Sequence, residues 1–150
     1  MRPNEEILLI DTSSQTIETI VETPASPGGI ALVCHPHPLF GGENTNKVVQ
    51  TLARSLAQLG YLALRPNFRG VGGSTGTHDD GIGESEDMLG LIEEATRRYG
   101  ELPVALAGYS FGAYVQTRVG RALSESGKPA QRMVLVGTAV GPIEGLRRYP

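Results

Sequence analysis

Gly108-Tyr109-Ser110-Phe111-Gly112 is the pentapeptide of this 150-residue chain best suited to chemistry. It follows the apolar run VALAG at 104–108 and leads into a helical pattern with no residue left over for a loop. In such a strand-turn-helix, Gly-x-Ser-x-Gly is the nucleophile elbow: the serine sits on a sharp turn and its hydroxyl stands clear of the backbone at the end of the strand. A turn that tight brings the flanking chain into close approach, so the positions two before and two after the serine have no room for a side chain. The helix that follows offers unpaired N–H groups and its dipole to a developing negative charge. A plainer reading competes with this one, in which Ser110 is an N-cap between a core strand and a core helix. The pentapeptide alone leaves both open.

The second peptide with chemical content is His35-Pro36-His37-Pro38-Leu39-Phe40-Gly41-Gly42. Prolines lack an N–H and hold the chain extended, so the loop is stiff and Leu39 carries its first free N–H after them. A fixed N–H at the C-terminal edge of a buried strand is what one half of an oxyanion hole requires. Here too a plainer reading stands beside it: a rigid loop whose imidazoles bond only to backbone, with His37 as loop support. A third reading pairs His35 and His37 as metal ligands with Asp79 or Asp80, since alternate residues of an extended chain face one side. No third ligand is anchored by spacing.

Two other stretches have plainer roles. The glycine-rich loop 66–76 fails as a phosphate cradle, because G-x-G-x-x-G starting at Gly70 meets Thr75, there is no G-K-[ST], and no helix opens directly after it. The acidic cluster between Asp79 and Asp87 reads as the solvated cap of a helix rather than a metal site. Cys34, the single cysteine, lies in the strand IALVC and reads as a small buried hydrophobe.

These residues need elements to hold them. Residues 5–10 and 15–22 read as an edge hairpin around a Thr-Ser-Ser turn, and 30–34 as a strand buried on both faces. A helix capped by Asn44 follows, with Val48, Val49, Leu52, Leu56 and Leu59 inward and Gly60 as its stop. Residues 61–65 form the next strand. A second helix begins near Glu84, carries Met88, Leu91, Ile92, Ala95 and Tyr99 on its inner stripe, and closes at Gly100. The helix after the elbow runs to about Ser124 with Val115, Val119, Ala122 and Leu123 inward; 131–138 is another strand, and 141–150 a loop with one helical turn. Strands alternating with helices after a leading hairpin predict one α/β domain over 1–150, a mostly parallel, doubly wound sheet with an antiparallel N-terminal hairpin.

Composition narrows the function classes. The net charge of −3 comes with scattered Lys and Arg, which argues against a nucleic-acid partner. No apolar run reaches membrane-spanning length and the first residues lack the layout of a secretory signal, so a cytoplasmic protein without a membrane partner is expected.

Taken together, HPHPLFGG at 35–42, RPNFRGVGGSTG at 65–76 with the acidic GIGESED after it, and GYSFG at 108–112 resemble the α/β-hydrolase superfamily. Within it they are most similar to the small bacterial serine hydrolases with a His-Pro-His-Pro loop. The resemblance implies the α/β-hydrolase fold, Ser110 as nucleophile, and the backbone N–H groups of Leu39 and Phe111 as the oxyanion hole. It implies an esterase-like acyl transfer through an acyl-enzyme on a small ester substrate, with no metal or organic cofactor. The pattern also places an acid and then a histidine after the nucleophile. Beyond Ser110 this chain has neither histidine nor aspartate, and its carboxylates there are Glu125 and Glu144. The last strands of the fold are therefore expected to be lacking, which would leave residues 133–137 (MVLVG) as an apolar edge prone to homo-oligomer formation. His35, His37 and His78 all lie on loops expected at the same sheet edge as Ser110, and each is a candidate substitute base. The alternative is a non-catalytic hydrolase-fold module that binds through the same cleft.

Overall fold

The apolar strands conceal an alternation by size. In residues 30–34 the small Ala31 and the Val33 alternate with Ile30, Leu32 and Cys34; in 61–64 Ala63 alternates with Leu62 and Leu64; in 105–107 Ala105 and Ala107 flank Leu106. Successive side chains of a strand point to opposite faces, so one face of the sheet is lined by small residues and the other by large ones. The structure, a computed structural model that describes residues 2–139, follows that division.

The elements run β1 (Glu5–Asp11), β2 (Thr16–Glu22), β3 (Gly29–Cys34), a single 3-10 turn (Pro38–Phe40), α1 (Lys47–Gln58), β4 (Tyr61–Pro66), α2 (Ile82–Tyr99), β5 (Val104–Tyr109), α3 (Phe111–Glu125) and β6 (Arg132–Val136). They build one six-stranded sheet in the order β1-β2-β4-β3-β5-β6. β2 is antiparallel to β1 and to β4, whereas β3 pairs in parallel with β4 and β5, and β5 with β6. α1 covers the small-residue face through Val49, Ala53, Leu56 and Ala57. α2 and α3 cover the large-residue face, where Met88, Leu91, Val115 and Val119 pack with Leu32, Leu64 and Leu106. The mostly parallel, doubly wound sheet with its antiparallel leading hairpin is thus as expected.

Four local expectations need correction. The N-cap of α1 is Asn46, whose side chain accepts from the N–H groups of Val48 (3.0 Å) and Val49 (3.3 Å). Asn44 is buried instead: its Nδ2 donates to the Arg65 carbonyl (3.0 Å) and its N–H to Asn67 Oδ1 (2.9 Å), joining two loops. Leu59, placed on the inner stripe by periodicity, is the exposed C-cap of α1. α2 starts at Ile82, and the acidic cluster is solvated only in part: Asp79 and Glu86 are exposed, whereas Glu84 and Asp87 are buried. The segment 141–150 lies outside the described residues. No helix among the described residues is long and apolar enough to cross a membrane.

Candidate active site

Parallel strands all point their C-terminal ends to one edge of the sheet, so the loops after β3, β4 and β5 emerge together there. Ser110 is the single residue between the end of β5 and the start of α3. Its backbone sits at φ +56° and ψ −115°, a conformation that costs a residue with a side chain about 1–3 kcal/mol and survives only where the surroundings enforce it. The enforcement is visible. The Ser110 N–H donates to the Val136 carbonyl of β6 (2.9 Å), and its own carbonyl accepts from Tyr114 (3.1 Å) and Ala139 (3.3 Å). A Cβ on Gly108 would lie 2.6 Å from the Gly112 carbonyl, and one on Gly112 would collide with the Cys34 and His35 carbonyls. Ser110 holds the N-cap position of α3, but its side chain makes no capping bond to the helix.

The loop after β3 is held as tightly. Phe40 and Gly42 donate their N–H groups to the His37 carbonyl (3.1 and 3.0 Å), and Gly41 donates to Pro38 (3.1 Å). Gly42 packs its α-carbon onto the Pro36 carbonyl, leaving no space for a side chain. The Leu39 N–H, expected to be free, donates to His37 Nδ1 (3.1 Å). Its side chain is exposed.

The three histidines of the chain divide by environment. His35 is fully buried, its Nδ1 lies 2.7 Å from the Pro36 carbonyl, and its Nε2 accepts the Phe68 N–H at 3.0 Å. That pattern defines a neutral ring with its proton on Nδ1. Burial pushes its pKa down to about 4, against a smaller opposing pull from the Pro36 carbonyl. Both nitrogens are committed, so His35 is neither a base for Ser110 nor a metal ligand, and the reading of His35 and His37 as a metal pair falls with it. No group of three or more metal-ligating side chains comes together among the described residues.

His37 is buried as well, with its ring centroid 4.6 Å from that of Phe111, the residue that follows the serine. Its pKa is lowered, first by burial and then by the neighbouring His78, with Asp80 pulling the other way. His78 completes the group: its ring is 4.7 Å from that of His37 and 5.5 Å from that of Phe111. Its Nε2 is 3.2 Å from Asp80 Oδ1 and its Nδ1 3.1 Å from Glu84 Oε2. Glu84 also accepts the N–H groups of Asp79 (2.9 Å) and Gly81 (3.0 Å), closing the start of α2 as a capping box does. Asp80 stands at φ +53°.

The loop 66–76 has a scaffolding task that its glycines did not announce. Arg69 grips Asp87 of α2 with both arms of its guanidinium (2.7 and 2.8 Å), and Ser74 Oγ donates to the Asn67 carbonyl (2.8 Å). Phe68, fully buried, sets its ring against His35 at 4.6 Å and Phe111 at 5.5 Å. The pairing of Arg69 with Asp87 joins residues 18 positions apart and could have been sought in the sequence as a forked donor facing the acidic run GIGESED.

A family model described as serine aminopeptidase, S33, matches residues 27–149, which include the strand-elbow-helix, the β3 loop and the β4 loop. The chain belongs to this family. An α/β serine hydrolase without lid from Xanthomonas campestris superimposes on all of the chain and on 68% of its own length, with 32% identity and a TM-score of 0.83. An α/β serine hydrolase homologue from Coxiella burnetii shares 40% identity over 77% of this chain and 56% of its own, with a TM-score of 0.73. Among curated sequences, an uncharacterised protein of Rickettsia prowazekii is 44% identical over 94 residues, 62% of this chain. A lysophosphatidylserine lipase of Macaca fascicularis is 28% identical over 120 residues, 80% of this chain. The chain spans 39% of the length of the first and 30% of the second. For this S33 chain the fold is that of the α/β hydrolases, and its family is one of serine hydrolases.

Proposed function

We propose that Ser110 is the nucleophile of an esterase-type acyl transfer on small carboxylic esters, with the backbone N–H groups of Leu39 and Phe111 as the oxyanion hole. The observation that carries the reading is the elbow itself: a serine at φ +56°, its side chain making no capping bond, between β5 and α3. Strain of this kind is retained where it orients a reacting group. Ser110 Oγ would attack the carbonyl carbon, its proton passing to a base; the carbonyl π pair becomes the oxyanion, and its return expels the alcohol and leaves an acyl-enzyme for water to cleave. Loss of one oxyanion donor in such a site typically costs about 100- to 1000-fold in rate. The S33 family name refers to peptide bonds and the macaque relative to a lysophospholipid ester, both substrates of the same carbonyl chemistry. A fluorophosphonate probe reports on Ser110 directly. Labelling that disappears in Ser110→Ala supports the reading; labelling elsewhere, with ester turnover retained in Ser110→Ala, overturns it.

A second reading has one observation in its favour. Among the described histidines, His35 has both nitrogens bonded to backbone and His78 lies between two carboxylates. Without a base the serine stays protonated, and the cleft would bind rather than turn over. Ester hydrolysis by the purified 150-residue chain, lost in Ser110→Ala, rejects that reading.

A further inference from the structure

His35 and His37 are one proline apart, yet the fold gives them different work. His35 ties its loop to the backbone of Phe68, whereas His37 stands at the head of the 3-10 turn and accepts the Leu39 N–H at Nδ1. A ring nitrogen that accepts a hydrogen bond carries no proton, so this bond exists only while His37 is neutral with its proton on Nε2. The ring cannot turn away easily, being buried among Phe111 (4.6 Å), His78 (4.7 Å) and Phe40 (5.6 Å).

We infer that His37 is a positioning residue: its bare Nδ1 sets the orientation of the Leu39 N–H, so the loop half of the oxyanion hole is in place only while His37 is neutral. The inference rests on the reading of Leu39 as an oxyanion donor and adds the group that holds it there.

The chemistry favours such a holder. The Nδ1 of a neutral imidazole is an uncharged acceptor, and hydrogen bonds to an ionised oxygen are about twice as strong as neutral ones. A ground-state carbonyl gains little by competing with Nδ1 for the amide, while an oxyanion gains much. Protonation of Nδ1 would set two N–H groups face to face and remove the cap of the turn. The charges that bear on this ring come from the loop 77–81 and α2. His78 lowers the pKa of this ring and Asp80 raises it, Glu84 lies against His78, and Phe111 of α3 presents an uncharged ring. Burial outweighs them and keeps the ring neutral below the usual imidazole range.

Proton-nitrogen correlation spectra of the 150-residue chain, recorded from neutral to acid pH, test this with Leu39 as reporter. The Leu39 amide signal should shift through the titration with the midpoint of the His37 ring, below the ordinary imidazole value. In His37→Asn, whose side-chain oxygen can accept the same N–H without titrating, the Leu39 signal should stay in place over that range. A Leu39 signal that ignores the titration of the His37 ring, or that moves with the same midpoint in His37→Asn, overturns the inference; should the variant not fold, the wild-type titration decides alone. Fluorophosphonate labelling over the same pH series separates the two readings. An acid loss of labelling that is absent in His37→Asn supports both, whereas a probe that never labels Ser110 sinks the hydrolase reading and leaves the spectra to decide on His37.

Discussion

β3 and β6 flank β5 as parallel partners, and their sequences are similar in kind: GIALVC in one, RMVLV in the other. Every residue of β3 is buried, while the first four of β6 are exposed, including Met133, Val134 and Leu135. Composition therefore does not decide burial; the neighbours do. β3 lies between two strands and beneath helices on both faces, and β6 is the last strand of the sheet among the described residues. The elbow touches both regimes at once, since Gly112 rests on the carbonyls of Cys34 and His35 and Ser110 donates to Val136. One side of the candidate nucleophile is fixed on a fully buried strand and the other on an exposed one.

Breaking the β3 side should have the largest effect. Gly112→Val forces atoms into backbone carbonyls that have no freedom to yield, and a destabilisation of about 3 kcal/mol or more is expected by urea denaturation. A variant as stable as the parent would show that the elbow does not rest on β3.

Acid should act on the same side with a slightly smaller effect. The pKa of His35 is lowered to about 4 in the fold, so the unfolded chain binds the proton first as pH falls. The stabilisation is complete above the ordinary imidazole value near 6.5 and is lost as pH falls from there through 4. A displacement of that size corresponds to about 3 kcal/mol, or about 1.4 kcal/mol per pH unit within the window. Urea midpoints at half-unit steps measure the slope, and a flat profile between 6.5 and 4.5 would show that His35 is not the neutral buried ring described here.

The β6 side should respond least in stability. Leu135→Lys places a charge on an exposed edge and is expected to change unfolding free energy by no more than about 0.5 kcal/mol. An apolar edge strand is a template for pairing with another chain, and a lysine there blunts it. Light scattering against concentration should register less self-association in the variant than in the parent. Equal, monomeric behaviour of both would remove the proposed homo-oligomer through this strand.

Much of the fold was legible because it rests on local rules. Uninterrupted apolar runs marked β3, β4 and β5, and glycine and proline marked their ends. Boundaries slipped where two residues of similar capping chemistry competed: Asn44 and Asn46 both suit an N-cap, and only the buried carbonyl of Arg65 claims the first. Leu59 kept helical phase but lies past the last turn that meets the sheet. Glu84 and Asp87 looked solvated because the sequence does not show that the connection before α2 folds back to bring Arg69 and His78 against them.

By itself the sequence determined the class of fold, the place of the elbow and the need for glycine at 108 and 112, since strand period, turn stereochemistry and chain order are local properties. The tertiary structure decided which histidine does what. Three imidazoles of like intrinsic chemistry became a buried backbone tie, a cap on the Leu39 amide and a ring between two carboxylates. Protonation and hydrogen bonding depend on burial and on partners distant in the chain, and those exist only once the sheet has brought its loops to one edge.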